Sequence, residues 1–121
     1  MKPSTAKAKG AETEIRYVNW LIEKGLVNAE RRHLSGQHDK GDIAGWCAAD
    51  GSWNVCVEVK NGGSLNIPKW LRELETEMKN AGSVMGHVAV RPKGKPNPKD
   101  WWVIMPAELH MQLMKEAGYW P

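Results

Sequence analysis

Residues Val55–Lys60 read Val-Cys-Val-Glu-Val-Lys. Valine at every second position over a short run is a strand pattern and not a helical one. Successive side chains leave a strand on opposite faces, so Val55, Val57 and Val59 share one side and Cys56, Glu58 and Lys60 the other. The valine side is the natural core face, and any fold of this chain must lay it against an apolar layer. The opposite side then carries a carboxylate and an ammonium next to each other on a rigid element. That is a suitable way to hold a divalent cation and a charged group beside a reacting phosphate.

The flanking sequence supplies the layers. Ala11–Lys24 has helical spacing and stops near Gly25, with Ile15, Val18, Leu21 and Ile22 as its apolar stripe. Glu14 falls inside that stripe. A carboxylate on a buried face requires a partner or a metal, whereas one in a wet first turn is simply favoured by the helix dipole. Met1–Gly10, with Lys2, Lys7 and Lys9, reads as a disordered basic arm, which leaves 11–121 as one domain. Strands are expected over Asn28–Leu34, Asp42–Ala48 and Asn54–Asn61, with a polar loop at Ser35–Lys40. A second helix begins after Asn66, with Pro68 in its first turn, and ends at Gly82. Its face of Ile67, Trp70, Leu71, Leu74, Met78 and Ala81 is made to pack on a sheet. Val84–Arg91 and Trp101–Met105 read as strands around a Lys/Pro/Gly loop, and a last helix follows Pro106. The fold class is α/β in the order α-β-β-β-α-β-β-α, a mixed, mostly antiparallel central sheet flanked by helices.

One turn decides whether two acids meet. A three-residue loop at Ala49-Asp50-Gly51 pairs Trp46 with Asn54 and Asp42 with Glu58, bringing the carboxylates together on one face. A two-residue turn at Asp50-Gly51 pairs Asp42 with Val59 and points the acids apart. The first register is expected. Asp42 and Glu58 then repel unless a cation lies between them.

Composition narrows the partners. A net charge of +3 means that binding to nucleic acid rests on a local patch and not on bulk charge. Two cysteines, Cys47 and Cys56, are too few for a disulfide framework. No apolar run reaches membrane-spanning length, and no secretory leader is visible. Reduced thiols and a cytoplasmic location (the host cytoplasm for a phage-encoded chain) are expected, with no membrane partner.

Asp42, Glu58 and Lys60, with Glu14, form the candidate catalytic set. Magnesium takes oxygen ligands and retains several waters, so Asp42 and Glu58, the backbone carbonyl of Val59, and Glu14 through water suffice to hold it; manganese substitutes. Lys60 orients or deprotonates a water, or balances charge on the phosphate. For contacting a phosphate backbone the chain offers Arg31, Arg32, His33, Ser35, His38, Lys40, Lys69, Lys93 and Lys95. His33, His38 and Asp39 lack the His-x-x-His or Cys-x-x-Cys spacing of a zinc site.

Gly41-Asp42-Ile43 followed by Glu58-Val59-Lys60, with a glutamate on the preceding helix, resembles the core of the PD-(D/E)xK nucleases. Within that superfamily the chain is most similar to the small archaeal- and phage-type Holliday junction resolvases, over Glu14 to Met105. The resemblance implies a restriction-endonuclease-like core and a magnesium-dependent site at Asp42, Glu58 and Lys60, with Glu14 as the helix glutamate. It also implies cleavage of branched double-stranded DNA to leave a 5′-phosphate, in recombination, repair or phage DNA processing. Two symmetric cuts imply a C2 homodimer. The chain departs from the family in two places. Gly41 stands where the family has proline, and the helix after Lys60 has no glutamine, leaving Lys69 or Glu73 for that role. Another structure-specific nuclease and a non-catalytic nucleic-acid-binding module are the other readings.

Overall fold

The longest pairing in the molecule joins β3 (Val55–Asn61) to β4 (Met85–Arg91) in parallel, from Val55 opposite Met85 to Asn61 opposite Arg91. Parallel neighbours need a crossover, and α2 (Ile67–Ala81) supplies it. The computed structural model describes residues 3–32 and 39–121, with side chains from Gly10 onward. The remaining elements are α1 (Pro3–Glu23), β1 (Glu30–Arg31), β2 (Ile43–Ala44), a 3₁₀ turn at Pro98–Asp100, β5 (Trp102–Ile104) and α3 (Ala107–Glu116). β5 adds antiparallel to β4, giving a sheet ordered β3-β4-β5, and β1 and β2 form a short antiparallel ribbon. The molecule is therefore α/β with a mixed, mostly antiparallel arrangement of strands between helices. No helix of the described residues is long and apolar enough to cross a membrane.

Both faces of β3 are covered. Val57 and Ala89 pack with Ile43, Ala29 and Trp101 under Tyr17, Val18 and Leu21 of α1. Cys56, Val88 and Val90 pack under Trp70 and Leu74 of α2. The valine face is a core face, as the alternation predicts, but its opposite is also interior. Gly82, at φ +65, ends α2 in the left-handed conformation that glycine adopts without steric cost, and its N–H returns to the Lys79 carbonyl.

α1 differs from expectation at its start and on its buried side. It begins at Pro3, so helical backbone takes in most of the stretch that the sequence predicts as an arm. Thr13, Tyr17, Val18 and Leu21 are buried, whereas Ile15 and Ile22 remain 44% and 39% exposed. The core stripe is centred on Tyr17, which an aliphatic count omits. Its hydroxyl bonds Nε2 of buried His87 at 2.9 Å, and its ring stacks between Trp20 and Trp101. Burial pushes the His87 pKa down to about 4, which keeps the imidazole neutral.

The first three strands are shorter than predicted, and the hairpin register is corrected. Cys47 pairs with Asn54, and the Ala48 N–H donates to the Trp53 carbonyl. That is the register of the two-residue turn, the one that separates the acids. The register changes by two residues farther down. Val55 N–H donates to the Trp46 carbonyl, and Asp42 N–H to the Val57 carbonyl at 2.7 Å. From Trp46 back to Asp42 one chain takes four steps while β3 takes two, so two extra residues bulge out. Gly45 makes the bulge possible. Its φ is +84, and a Cβ there would collide with the backbone carbonyl of Asn28.

Candidate metal centre

Five acids and one lysine gather where α2 covers the even face of β3. Glu58, near the middle of the strand, is 4% exposed, and Glu77 of α2 is 6% exposed above it. Asp42 is held at both ends. Its N–H is bound by Val57, and its Oδ2 accepts from the Val59 N–H at 2.7 Å. Asp42 and Glu58 therefore meet, through the bulge and not through the expected turn. The Glu58 carboxyl is hydrogen-bonded with both Asp42 and Glu77. Lys60 Nζ donates to Glu73 Oε2 at 2.7 Å and lies 3.9 Å from Glu58 Oε2. Asp39 completes the group: oxygens of Asp39, Glu58 and Glu77 all lie within 4.8 Å of one another. Asn80 of α2 donates to the Asp39 carbonyl at 2.8 Å and so ties that loop to the helix.

Gly41 lets the loop approach this closely. At φ +97, a Cβ would sit 2.9 Å from the Val57 carbonyl oxygen and 3.0 Å from Cys56 Sγ. A proline, fixed near φ −65°, does not fit this backbone. Position 41 thus takes glycine for a local steric reason.

The electrostatics follow from crowding like charges away from water. Burial, then Asp42 and Glu77, push Glu58 up to about 10. Glu77 rises to about 7, mainly through burial, with its bond to Glu58 partly opposing. Asp42 is also raised by burial, against the opposing pull of the Val59 N–H. Burial alone would lower the Lys60 pKa, but Glu73, Glu58 and Asp42 outweigh it and hold the side chain as an ammonium. At neutral pH Glu58 therefore keeps a proton at the meeting point of three carboxyls. The donor set is all oxygen, and Glu77 Oε2 is buried with no hydrogen-bond partner among the described residues. Hard divalent cations such as magnesium or manganese suit such donors.

The other predicted residues are spread around this point. Glu14 faces it from α1; burial and then Asp42 raise its pKa, and Arg31 Nε stands 3.5 Å from its Oε1. Arg31 is thus engaged with an acid. Arg32 donates its N–H to the Asp42 carbonyl at 2.8 Å, which helps to hold the aspartate strand. Val59 meets Asp42 through its N–H. Lys40 and Lys69 lie exposed at the rim, and Lys69 Nζ is 3.9 Å from Glu73 Oε1. Lys93 is not part of this cluster: it lines a separate cavity of about 370 Å³ with Glu12, Asn61, Gly62, Gly63 and Arg91. Lys95 presents its carbonyl to the Trp101 indole N–H at 2.7 Å. His33, Ser35 and His38 lie outside the described residues. Glu77 was not predicted. The signal existed, because Glu77 interrupts the apolar face of Trp70, Leu74 and Met78 as Glu14 interrupts that of α1.

No protein-family model, no curated protein and no solved structure matches this chain.

Proposed function

We propose that the protein is a magnesium-dependent endodeoxyribonuclease of the PD-(D/E)xK type that cuts branched double-stranded DNA, and specifically a resolvase of four-way junctions. The observation that carries this reading is the meeting of Asp42 and Glu58 beside Lys60. Bound magnesium supplies Lewis-acid stabilisation of the charge that builds on a phosphodiester in the transition state. Asp42 and Glu58 would hold it, with Glu14 in reach through water. The Val59 N–H fixes the rotation of the Asp42 carboxylate, so its oxygens are placed before substrate arrives. Lys60, kept as an ammonium and steadied by Glu73, serves as a cation beside the phosphate and not as a base. Water attacks phosphorus, the bond to the 3′ oxygen breaks, and the products are a 5′-phosphate and a 3′-hydroxyl. Two symmetric cuts at a four-way junction call for two such sites in a C2 homodimer.

The test is cleavage of a synthetic mobile four-way junction by wild type and Asp42→Asn, with magnesium and with chelator. Paired symmetric nicks by wild type with magnesium, absent in the variant and in chelator, are expected. Nicks on flaps but not on junctions would make it another structure-specific nuclease. Binding of junctions without any magnesium- or manganese-dependent cut would overturn the enzymatic reading in favour of a binding module.

A further inference from the structure

We propose that the aromatic cavity between α1 and α3 holds an unpaired base of a DNA strand, with Lys99 on its phosphate. The cavity lies on the α1 side of the sheet, away from the acids gathered under α2. Naming the strand as DNA rests on the nuclease reading; the shape and charge of the cavity do not.

The walls are the first ground. The cavity measures about 470 Å³, within the roughly 300–1,000 Å³ of small-ligand sites. Trp20, Trp46, Trp101 and Trp102 line it, together with Tyr17. The Tyr17 ring lies 12° from parallel with Trp101 and 24° from parallel with Trp20, so flat rings are already stacked there. Stacked rings accept a further flat ring on a free face, and every nucleobase offers one. Trp102 is 49% exposed and Trp20 is half-buried, which leaves ring surface for a guest. On the far side α3 buries none of its own residues, so His110 and Leu113 border the space without filling it.

Charge selects among flat guests. No carboxylate lines the cavity among the described residues, whereas exposed Lys99 and His110 do. His87, buried and bonded to the Tyr17 hydroxyl, stays neutral. An organic cation would be drawn to the ring faces, yet it would meet the Lys99 ammonium and find no acid to pair with. A flat ring that carries an anion suits the rings and the ammonium together. The space also continues. A polar cavity of about 360 Å³ shares Trp20 and Pro98 with it and adds Asn19 and Arg16, the latter paired with Glu12, beside one acid, Glu23. A sugar-phosphate chain has a path there that a free nucleotide does not need.

The test uses the full-length protein in chelator, so that nothing is cut. Binding is read by anisotropy of a labelled single strand and by quenching of tryptophan fluorescence, which base stacking produces. The single strand is expected to bind and quench. The same strand made of abasic sites, which keeps the phosphates, is expected to bind about tenfold more weakly and without quenching. The matched duplex, its bases already stacked, is expected not to quench. Trp102→Ala should weaken the single strand about tenfold, and Trp102→Phe, which keeps a ring, should restore most of the loss. Lys99→Ala should weaken normal and abasic strands alike and lower the salt slope by about one. Trp120→Ala, at an exposed tryptophan outside the cavity, should change nothing. Circular dichroism checks that each variant is folded. Equal affinity for normal and abasic strands, equal quenching by the duplex, or an unchanged Trp102→Ala overturns the proposal. A Trp102→Ala that alters sedimentation but not strand binding also overturns it and assigns the cavity to a second copy of the chain. Base-dependent quenching without magnesium-dependent cleavage would sink the nuclease and keep this site; junction cleavage without base-dependent quenching would do the reverse.

Discussion

Val57 and Glu58 are neighbours on one strand and equally deep in the protein, yet they have opposite consequences. Val57 is fully buried against Ile43, Ala89 and α1. Burying a valine side chain stabilises by about 1.5–3 kcal/mol. Glu58, turned the other way, meets Asp42 and Glu77 and retains a proton to about pH 10. A lone buried carboxylate costs several kcal/mol unless it is neutralised. One face of β3 holds the molecule together, and the other strains it. The apolar half of α2 makes the second possible, because Trp70 and Leu74 anchor the helix on Cys56, Val88 and Val90.

The widest gap between the faces should appear in activity. Asp42→Asn and Lys60→Ala are expected to lower junction cleavage at least a thousandfold, about 4 kcal/mol of transition-state stabilisation, while circular dichroism stays native. Val57→Ala should leave cleavage per folded molecule near wild type at low temperature; a comparable loss there would erase the distinction. On stability the ordering inverts. Val57→Ala should lower unfolding free energy by about 2 kcal/mol for its lost methyl groups. Glu58→Gln should raise the melting temperature of metal-free protein by a few degrees, about 1–2 kcal/mol. Denaturant titration of both variants in chelator checks the pair of signs.

Acidity sharpens the same contrast with a smaller effect. The unfolded chain releases the Glu58 proton near 4.5, whereas the folded chain holds it to about 10 and that of Glu77 to about 7. Between those values the native state binds more protons, so metal-free stability should fall as pH rises from about 4.5 towards 10. Glu58→Gln should flatten that slope. Added magnesium should stabilise more at high pH, since it no longer competes with a proton. Thermal melts across this range, with and without magnesium, decide the matter. The least change is expected at the rim. Lys69→Ala loses an exposed contact with Glu73 and should cost about 0.5 kcal/mol or less.

Much of this contrast was legible in the residues. Alternation identified β3 and its two faces, and the helical stripes identified α2 and drew attention to Glu14. The hairpin was not legible, because its register depends on a distant contact. Gly45 is visible in the sequence, but the bulge there exists because Asn28 comes up against it. The expected pairing of Asp42 with Glu58 therefore failed as a register, since the Asp42 N–H bonds the Val57 carbonyl, and the bulge brings the two carboxyls near each other instead. Lys93 was assigned to the phosphate-binding set by charge alone. Its place beside Gly62 and Arg91 is set by the parallel pairing of β3 with β4, a non-local fact. Glu77 was within reach of the argument that singled out Glu14, since both are acids embedded in apolar stripes.

The slip at Gly45 also acts as a joint between two lengths of ribbon that would otherwise share one phase. Beyond it, the tip around Asp50 and Gly51 is exposed and insulated from the carboxylates below. Extra residues or a reporter peptide spliced into that tip would be absorbed at the joint, and the clustered carboxyls would keep their places.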